Sequence, residues 1–160
     1  MNDWNGQRVL VIGGSSGIGF ACAQGAAADG AQVTIASRSA ARLAAAQARL
    51  PAGTQARPLD VTDEAAVQAF FADGTVWDHV IVTGSDVRIA PVRELPLDTA
   101  LAAFDSKFWG FYRVARAARI RDGGSLGVVA GFLATRPAPG RALMGAINGA
   151  IESLARGLAL

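Results

Sequence analysis

At 160 residues the chain is long enough for one domain with a substantial core, and it is 51% hydrophobic with 19 glycines, which suits a buried sheet covered by helices. Fifteen lysines and arginines against 13 acids leave a formal charge of +2 with the arginines scattered, which excludes the basic footprint of a nucleic-acid-binding or membrane-surface protein. The single cysteine, Cys22, excludes a disulfide framework and, inside a helical stretch, reads as a small buried hydrophobe.

Met1–Gly6 has neither the basic start nor the apolar core of an export signal, and no apolar stretch is long and unbroken enough to cross a bilayer. A soluble cytoplasmic protein is therefore expected. Neither repeats nor a linker interrupt the chain, so residues 1–160 form a single predicted domain.

Arg8–Ile12 is a short apolar run that breaks into glycines and serines, and a small-residue helix follows from Gly17 to about Asp29, closed by Gly30. The glycines fall as Gly13-x-x-x-Gly17-x-Gly19. Gly13 turns the chain off the strand, Gly17 admits a pyrophosphate close to the backbone, and Gly19 lets the helix pack on the sheet. The helix N-terminus adds free N–H groups and a positive dipole end. An ordinary strand-to-helix turn also uses glycines, but this one opens a βαβ series, which favours nucleotide binding.

Gln32–Ser37 is the second strand, and Ala40–Leu50 an alanine-rich helix stopped by Pro51 and Gly53. Gln55–Leu59 is the third strand. Thr62, a candidate N-cap, starts a helix through about Ala72 with Asp63 and Glu64 in its first turn. His79–Thr83 is the fourth strand, and a loop carrying Pro91 and Pro96 follows. A long helix is predicted over 98–119, with Leu101, Phe104, Phe108, Phe111, Tyr112 and Ala115 on one side. Ser125–Ala130 is the fifth strand, and after the Thr135–Gly140 loop a last helix runs to Leu160. This alternation predicts an α/β fold, a three-layer, doubly wound parallel sheet with strands in the order 3-2-1-4-5.

Val11–Gly19 resembles the cofactor loop of the short-chain dehydrogenases/reductases. The resemblance continues through Leu59-Asp60-Val61-Thr62, Gly123-Gly124-Ser125 and Asn148–Leu154, and covers essentially the whole chain. It implies an NAD(P)-binding Rossmann fold in which Gly13, Ser15, Ser16, Gly17, Ile18 and Gly19 form the cofactor loop. It further implies that Asp60 meets the adenine amino group and Val61 packs beside the ring. Val82-Thr83-Gly84-Ser85 stands where the family has Asn-Asn-Ala-Gly, so Thr83 and Gly84 are expected to keep the backbone passage beside the cofactor without the asparagine amides. At the end of strand two, Ser37 occupies the place where an NAD-specific site carries an acid, and Arg38 follows. A guanidinium matches a phosphate dianion that an acid would repel, so NADP(H) is the expected cofactor. A solvated arginine at a helix start is the other reading of Arg38.

The family's chemistry uses a serine, a tyrosine, a lysine one helical turn later, and an asparagine from the long helix. The resemblance places these at Ala130, Met144, Asn148 and Lys107, and all four depart from the pattern. Tyr112, the only tyrosine, lies in the other helix. Polar candidates near the strand C-termini are Ser85, Asp86, Lys107, Arg136 and Asn148. Lys107, the only lysine, is the candidate proton carrier, or else a solvated helix lysine. Asn148 is the candidate for the ribose contact of the absent lysine. His79 begins strand four, at the opposite end of the sheet, and is set aside; no metal is expected.

The expected function is an NADP(H)-dependent oxidoreductase acting on a small carbonyl or alcohol, the alternative being a catalytically inactive NADP(H)-binding sensor or partner subunit. The resemblance implies a homodimer or homotetramer through the helices at 98–119 and 141–160. Family members continue beyond the helix that ends at Leu160, so a C-terminally incomplete chain is expected.

Overall fold

The computed structural model describes residues 4–84, 86 and 88–160. Five parallel strands, β1 (Arg8–Ile12), β2 (Gln32–Ser37), β3 (Gln55–Pro58), β4 (Val76–Val82) and β5 (Arg119–Val128), lie in the order β3-β2-β1-β4-β5. The helices are α1 (Gly17–Ala28), α2 (Ala40–Gln47), α3 (Glu64–Phe71), α4 (Leu97–Phe104), α5 (Gly110–Ala117) and α6 (Ala142–Leu158). This is the doubly wound Rossmann architecture, in the expected strand order.

β1 is central because both of its faces are apolar. Val9, Leu10 and Val11 are fully buried and Ile12 is 3% exposed. Side chains alternate across a strand, so Val9 and Val11 join Val33, Ile35, Ala23 and Leu43 in the layer under α1 and α2. Leu10 and Ile12 face the other way, into Val67, Phe111, Val114, Ile147 and Ile151 under α3, α5 and α6. In-register pairs Ile12↔Ala36 and Ile12↔Val82 bring the C-terminal ends of β2 and β4 level with the end of β1. Ligands bind at that edge in this architecture, on the two sides of a reversal in strand order.

Several boundaries differ from the sequence reading. The single helix expected over 98–119 is three pieces, because residues 105–109 (Asp105–Trp109) form one π-helical segment between α4 and α5. Ala118 is already extended, and Arg119–Ile120 pair with Val76–Trp77, so β4 begins three residues before His79 and β5 six before Ser125. The two halves of β5 are joined by an irregularity in which Arg121–Gly124 stand opposite Asp78 alone. Asp78 holds it by taking Arg121 Nε (2.6 Å) on one oxygen and the Arg8 amide (2.6 Å) on the other. Glycines and charges there hide the strand pattern in the sequence. β5 ends at Val128, and Ala130 follows it, packed against the core.

The cap of α3 is Asp63, which accepts from the Ala66 amide (3.1 Å), and not Thr62, whose hydroxyl donates to Asp60 (2.7 Å). Asp60 lies close enough to claim Thr62 first. The helix after β2 ends at Gln47, three residues before Leu50.

Candidate functional site

The turn after β1 is built by close backbone approach. The Gly13 amide donates to Ala36 O (2.7 Å), and Thr83 donates to Ile12 O from both its amide (2.9 Å) and its hydroxyl (3.1 Å). A Cβ on Gly13 (φ +87) would lie 2.5 Å from both Gly84 N and Thr83 Oγ1, and one on Gly19 would strike Gly13 O and the same hydroxyl. These two glycines press β1, β4 and α1 together. Gly17 differs: its φ is +52, yet a Cβ there would meet nothing within 4 Å. It faces open space. Ser16, the N-cap of α1, makes no side-chain capping bond, and the first turn carries no acid. The amides of that turn are left to an outside acceptor.

Over this turn lies a groove of about 300 Å³. Gly13, Ser15, Ser16, Gly17, Ile18, Gly19, Ser37, Arg38, Asp60, Val61, Thr83 and Gly84 all line it, so the structure brings every expected cofactor residue to one cavity. Arg42, Thr62, Asp86 and Ser106 line it as well. Arg42 had one faint signal, a second arginine one helical turn after Arg38. Ser106 had none, since its place depends on the π-helical segment.

Two features of the β2 wall bear on what fits. Ser37 lines the groove, and its Oγ is buried with no hydrogen-bond partner among the described residues. Arg38 reaches across to Asp86, Nη2 to Oδ2 at 3.1 Å. On the β3 side, Asp60 Oδ1 accepts both the Thr62 amide (2.9 Å) and the Thr62 hydroxyl (2.7 Å). Burial works to raise the Asp60 pKa, but the Thr62 bonds, then the charges of Arg38 and Arg113, outweigh it and hold the carboxyl below its ordinary value. The group stays ionised, with Oδ1 taken.

The other expected residues form a second cluster. Lys107, on the π-helical segment, donates from Nζ to Asn148 Oδ1 at 2.7 Å. Asn148 is 1% exposed, and a Cβ on Gly131 would come within 3.0 Å of its Nδ2. The two residues expected to do chemistry therefore hold each other, 41 positions apart in the chain. Burial lowers the Lys107 pKa from the ordinary lysine value, because lost hydration disfavours the ammonium. Neither residue lines the groove, whereas Ser106, the neighbour of Lys107, does. Asn148, expected to meet the ribose, is buried in this structure with its carbonyl engaged by Lys107.

Among the remaining candidates, Met144 is half-buried on α6 and Arg136 is exposed. Asp86 lines the groove, and Ser85 lies outside the described residues. Tyr112 is 42% exposed and packs edge-on to Trp109, ring centroids 5.6 Å apart. His79 pairs with Val9 in the N-terminal half of β1, where its ring nitrogens bond Ser125 Oγ and Gln7 Oε1, both at 2.7 Å. It belongs to the far end of the sheet. Among the described residues no three His, Cys, Asp or Glu gather to hold a metal, and no helix is long and apolar enough to cross a membrane.

A glycine cradle at the reversal of a parallel sheet, facing an open helix N-terminus, defines a nucleotide-binding α/β domain. The family model described as enoyl-(acyl carrier protein) reductase matches residues 12–160, and the chain belongs to the short-chain dehydrogenase/reductase family. It is 36% identical over 126 residues to a 1-deoxy-11-beta-hydroxypentalenate dehydrogenase of Streptomyces avermitilis, covering 72% of this chain and 47% of that protein. It is 32% identical over 166 residues to a gluconate 5-dehydrogenase of Gluconobacter oxydans, covering 97% of this chain and 65% of the relative. A short-chain dehydrogenase from Burkholderia cenocepacia, solved in complex with NADP, superposes with a TM-score of 0.89 at 32% identity over 99% of this chain and 69% of that one. The chain thus spans between about half and two thirds of the length of these relatives.

Proposed function

We propose that this chain carries the cofactor half, and one proton-carrying side chain, of an NADP(H)-dependent oxidoreductase acting on a small carbonyl or alcohol. The observation that carries the reading is the end of β2, where Ser37 and Arg38 line the groove and the strand itself carries no acid, the carboxylate paired with the guanidinium, Asp86, coming from the segment after β4. That serine and arginine suit a ribose 2′-phosphate and would suit a bare 2′-hydroxyl poorly. The NADP bound to the Burkholderia relative supports the choice.

When bound, NADP(H) supplies or takes up the hydride. The amides at the start of α1 bind the pyrophosphate, with Gly17 leaving room for its oxygens. Asp60 turns its second oxygen to the adenine amino group, and Val61 covers the ring. Lys107 hands a proton from Nζ to the substrate oxygen in reduction and takes it back in oxidation. The lowered pKa makes its ammonium a better acid than a solvated lysine. Asn148 orients it.

Working as a homodimer or homotetramer in the cytoplasm is part of the same reading, supported by Leu97, Leu101, Trp109 and Tyr112, which stay exposed along α4 to α5. Net charge of +2 supports a small-molecule substrate with no role for nucleic acid or membrane. A second reading, an NADP(H)-binding sensor or partner subunit without turnover, is favoured by Ala130 and Met144, which have no proton to exchange.

The test is a titration with NADPH and NADH followed by NADPH oxidation with a panel of carbonyls. NADPH is expected to bind about ten- to a hundredfold more tightly, the worth of a charge-assisted bond. Equal affinities refute the NADP(H) assignment. A preference without turnover on any carbonyl or alcohol selects the sensor reading.

A further inference from the structure

The groove is crossed by an ion pair of its own. Arg38, at the end of β2, and Asp86, in the segment after β4, meet at 3.1 Å, and both line the cavity from opposite sides of the glycine turn. Asp86 is tethered from below. Its amide donates to Ser106 Oγ (3.3 Å), its carbonyl lies 3.2 Å from the same oxygen, and Ser106 is buried on the π-helical segment. The carboxylate is thus presented to Arg38 by an anchored backbone.

We infer that Asp86 is a specificity-determining residue that competes with the cofactor's 2′-phosphate for Arg38, so that the pair acts as a strap which a phosphorylated cofactor opens by exchange. This rests on the NADP(H) reading of the same groove. A guanidinium already satisfied by a carboxylate gains less from a phosphate than a free one. Once displaced, Asp86 also stays an anion in the wall beside the new dianion. NADH, which carries no 2′-phosphate, has no group to exchange for the carboxylate and leaves the strap closed. Asp86 therefore lowers NADPH affinity selectively. The side chains are 49% and 70% exposed, so the competition is modest, about two- to fivefold in affinity.

The experiment is titration of NADPH, NADH and 2′-AMP into the parent, Asp86→Asn, Arg38→Ala and the double variant. Asp86→Asn, an exposed near-isosteric change, is expected to tighten NADPH and 2′-AMP about two- to fivefold while leaving NADH unchanged, and most of that gain should vanish in the Arg38→Ala background. An NADPH preference in the parent together with an unchanged NADPH-to-NADH ratio in Asp86→Asn overturns the strap alone. A gain of equal size for NADH, or one fully retained without Arg38, also overturns it. A parent that binds both dinucleotides equally overturns the cofactor reading and the strap with it.

Discussion

Gly17 and Gly19 lie two residues apart in one motif, and the structure assigns them opposite kinds of work. Gly17→Ala meets no neighbour within 4 Å and is strained only through its φ of +52, a cost of about 1 kcal/mol. In a domain of this size that lowers Tm by about 2–4 °C. Gly19→Ala drives a methyl into the Gly13 carbonyl and to 2.5 Å from Thr83 Oγ1, in a buried place where backbone must move. Overpacking against backbone costs about 3 kcal/mol, roughly 6–12 °C in Tm. Cofactor binding should order differently from stability. The Gly17 methyl enters the space left for the pyrophosphate and should weaken NADPH about tenfold or more, a loss of about 1.4 kcal/mol or greater. Differential scanning fluorimetry and an NADPH titration on both variants read the two effects separately. Parental NADPH affinity in Gly17→Ala would mean the phosphates lie elsewhere. A Gly19→Ala protein as stable as Gly17→Ala would refute the close-approach argument.

Arg38→Ala should weaken NADPH about ten- to a hundredfold and NADH little, read by titration as the loss of a charged hydrogen-bond partner. Lys107→Met should abolish most turnover with NADPH affinity nearly unchanged; turnover at the parent rate would reduce Lys107 to a surface charge. In stability, the lowered folded pKa of Lys107 means that the unfolded chain binds more protons between the two pKa values. Parent stability should therefore rise with pH through that alkaline window, and the Lys107→Met profile should lack the rise. Asn148→Asp sets a carboxylate where Oδ1 now takes Nζ at 2.7 Å, which raises the Lys107 pKa and should move the alkaline limb of the rate profile to higher pH.

The cofactor half was legible because its requirements are local. A turn that presents amides to a phosphate needs glycines at set offsets beside a strand and a helix, and Gly13, Gly17 and Gly19 write that out within seven residues. The β2 wall was equally close to the surface of the sequence, since Ser37 and Arg38 follow directly from where the strand ends. What lies in long-range contacts was not legible. The π-helical segment has no pattern of its own, and its anchor is Ser106 reaching Asp86, 20 positions away. Arg119–Gly124 lacks any strand alternation: Arg119 and Ile120 pair with Val76 and Trp77, and Asp78, on the neighbouring strand, accepts from Arg121 and Arg8 together beside the irregularity that follows. The choice of Asp63 over Thr62 as a cap turned on the hydroxyl bond that Thr62 donates to Asp60, which a carboxylate could not have made and which leaves Asp63 to take the Ala66 amide.

On the proposed reading, the same distinction separates the reaction end from the cradle. In the cradle the atoms nearest to a Cβ on Gly13 or Gly19 are backbone and the Thr83 hydroxyl, so no long side chain stands there to retreat. At the other end, the resemblance puts a lysine at 148 and an asparagine at 107, and this chain has them reversed. Asn148 is 1% exposed, so a charge at its place in the packing would lose nearly all of its hydration. A neutral amide tolerates that burial, because one hydrogen bond from Lys107 satisfies its oxygen. The cation stands instead at 107, half-buried, where the π-helical segment turns it toward α6 while Ser106 beside it faces the groove. The exchange thus keeps an ammonium and an amide in contact between the same two helical elements. The charge stands on the side that can still be hydrated, and its partial burial there lowers its pKa.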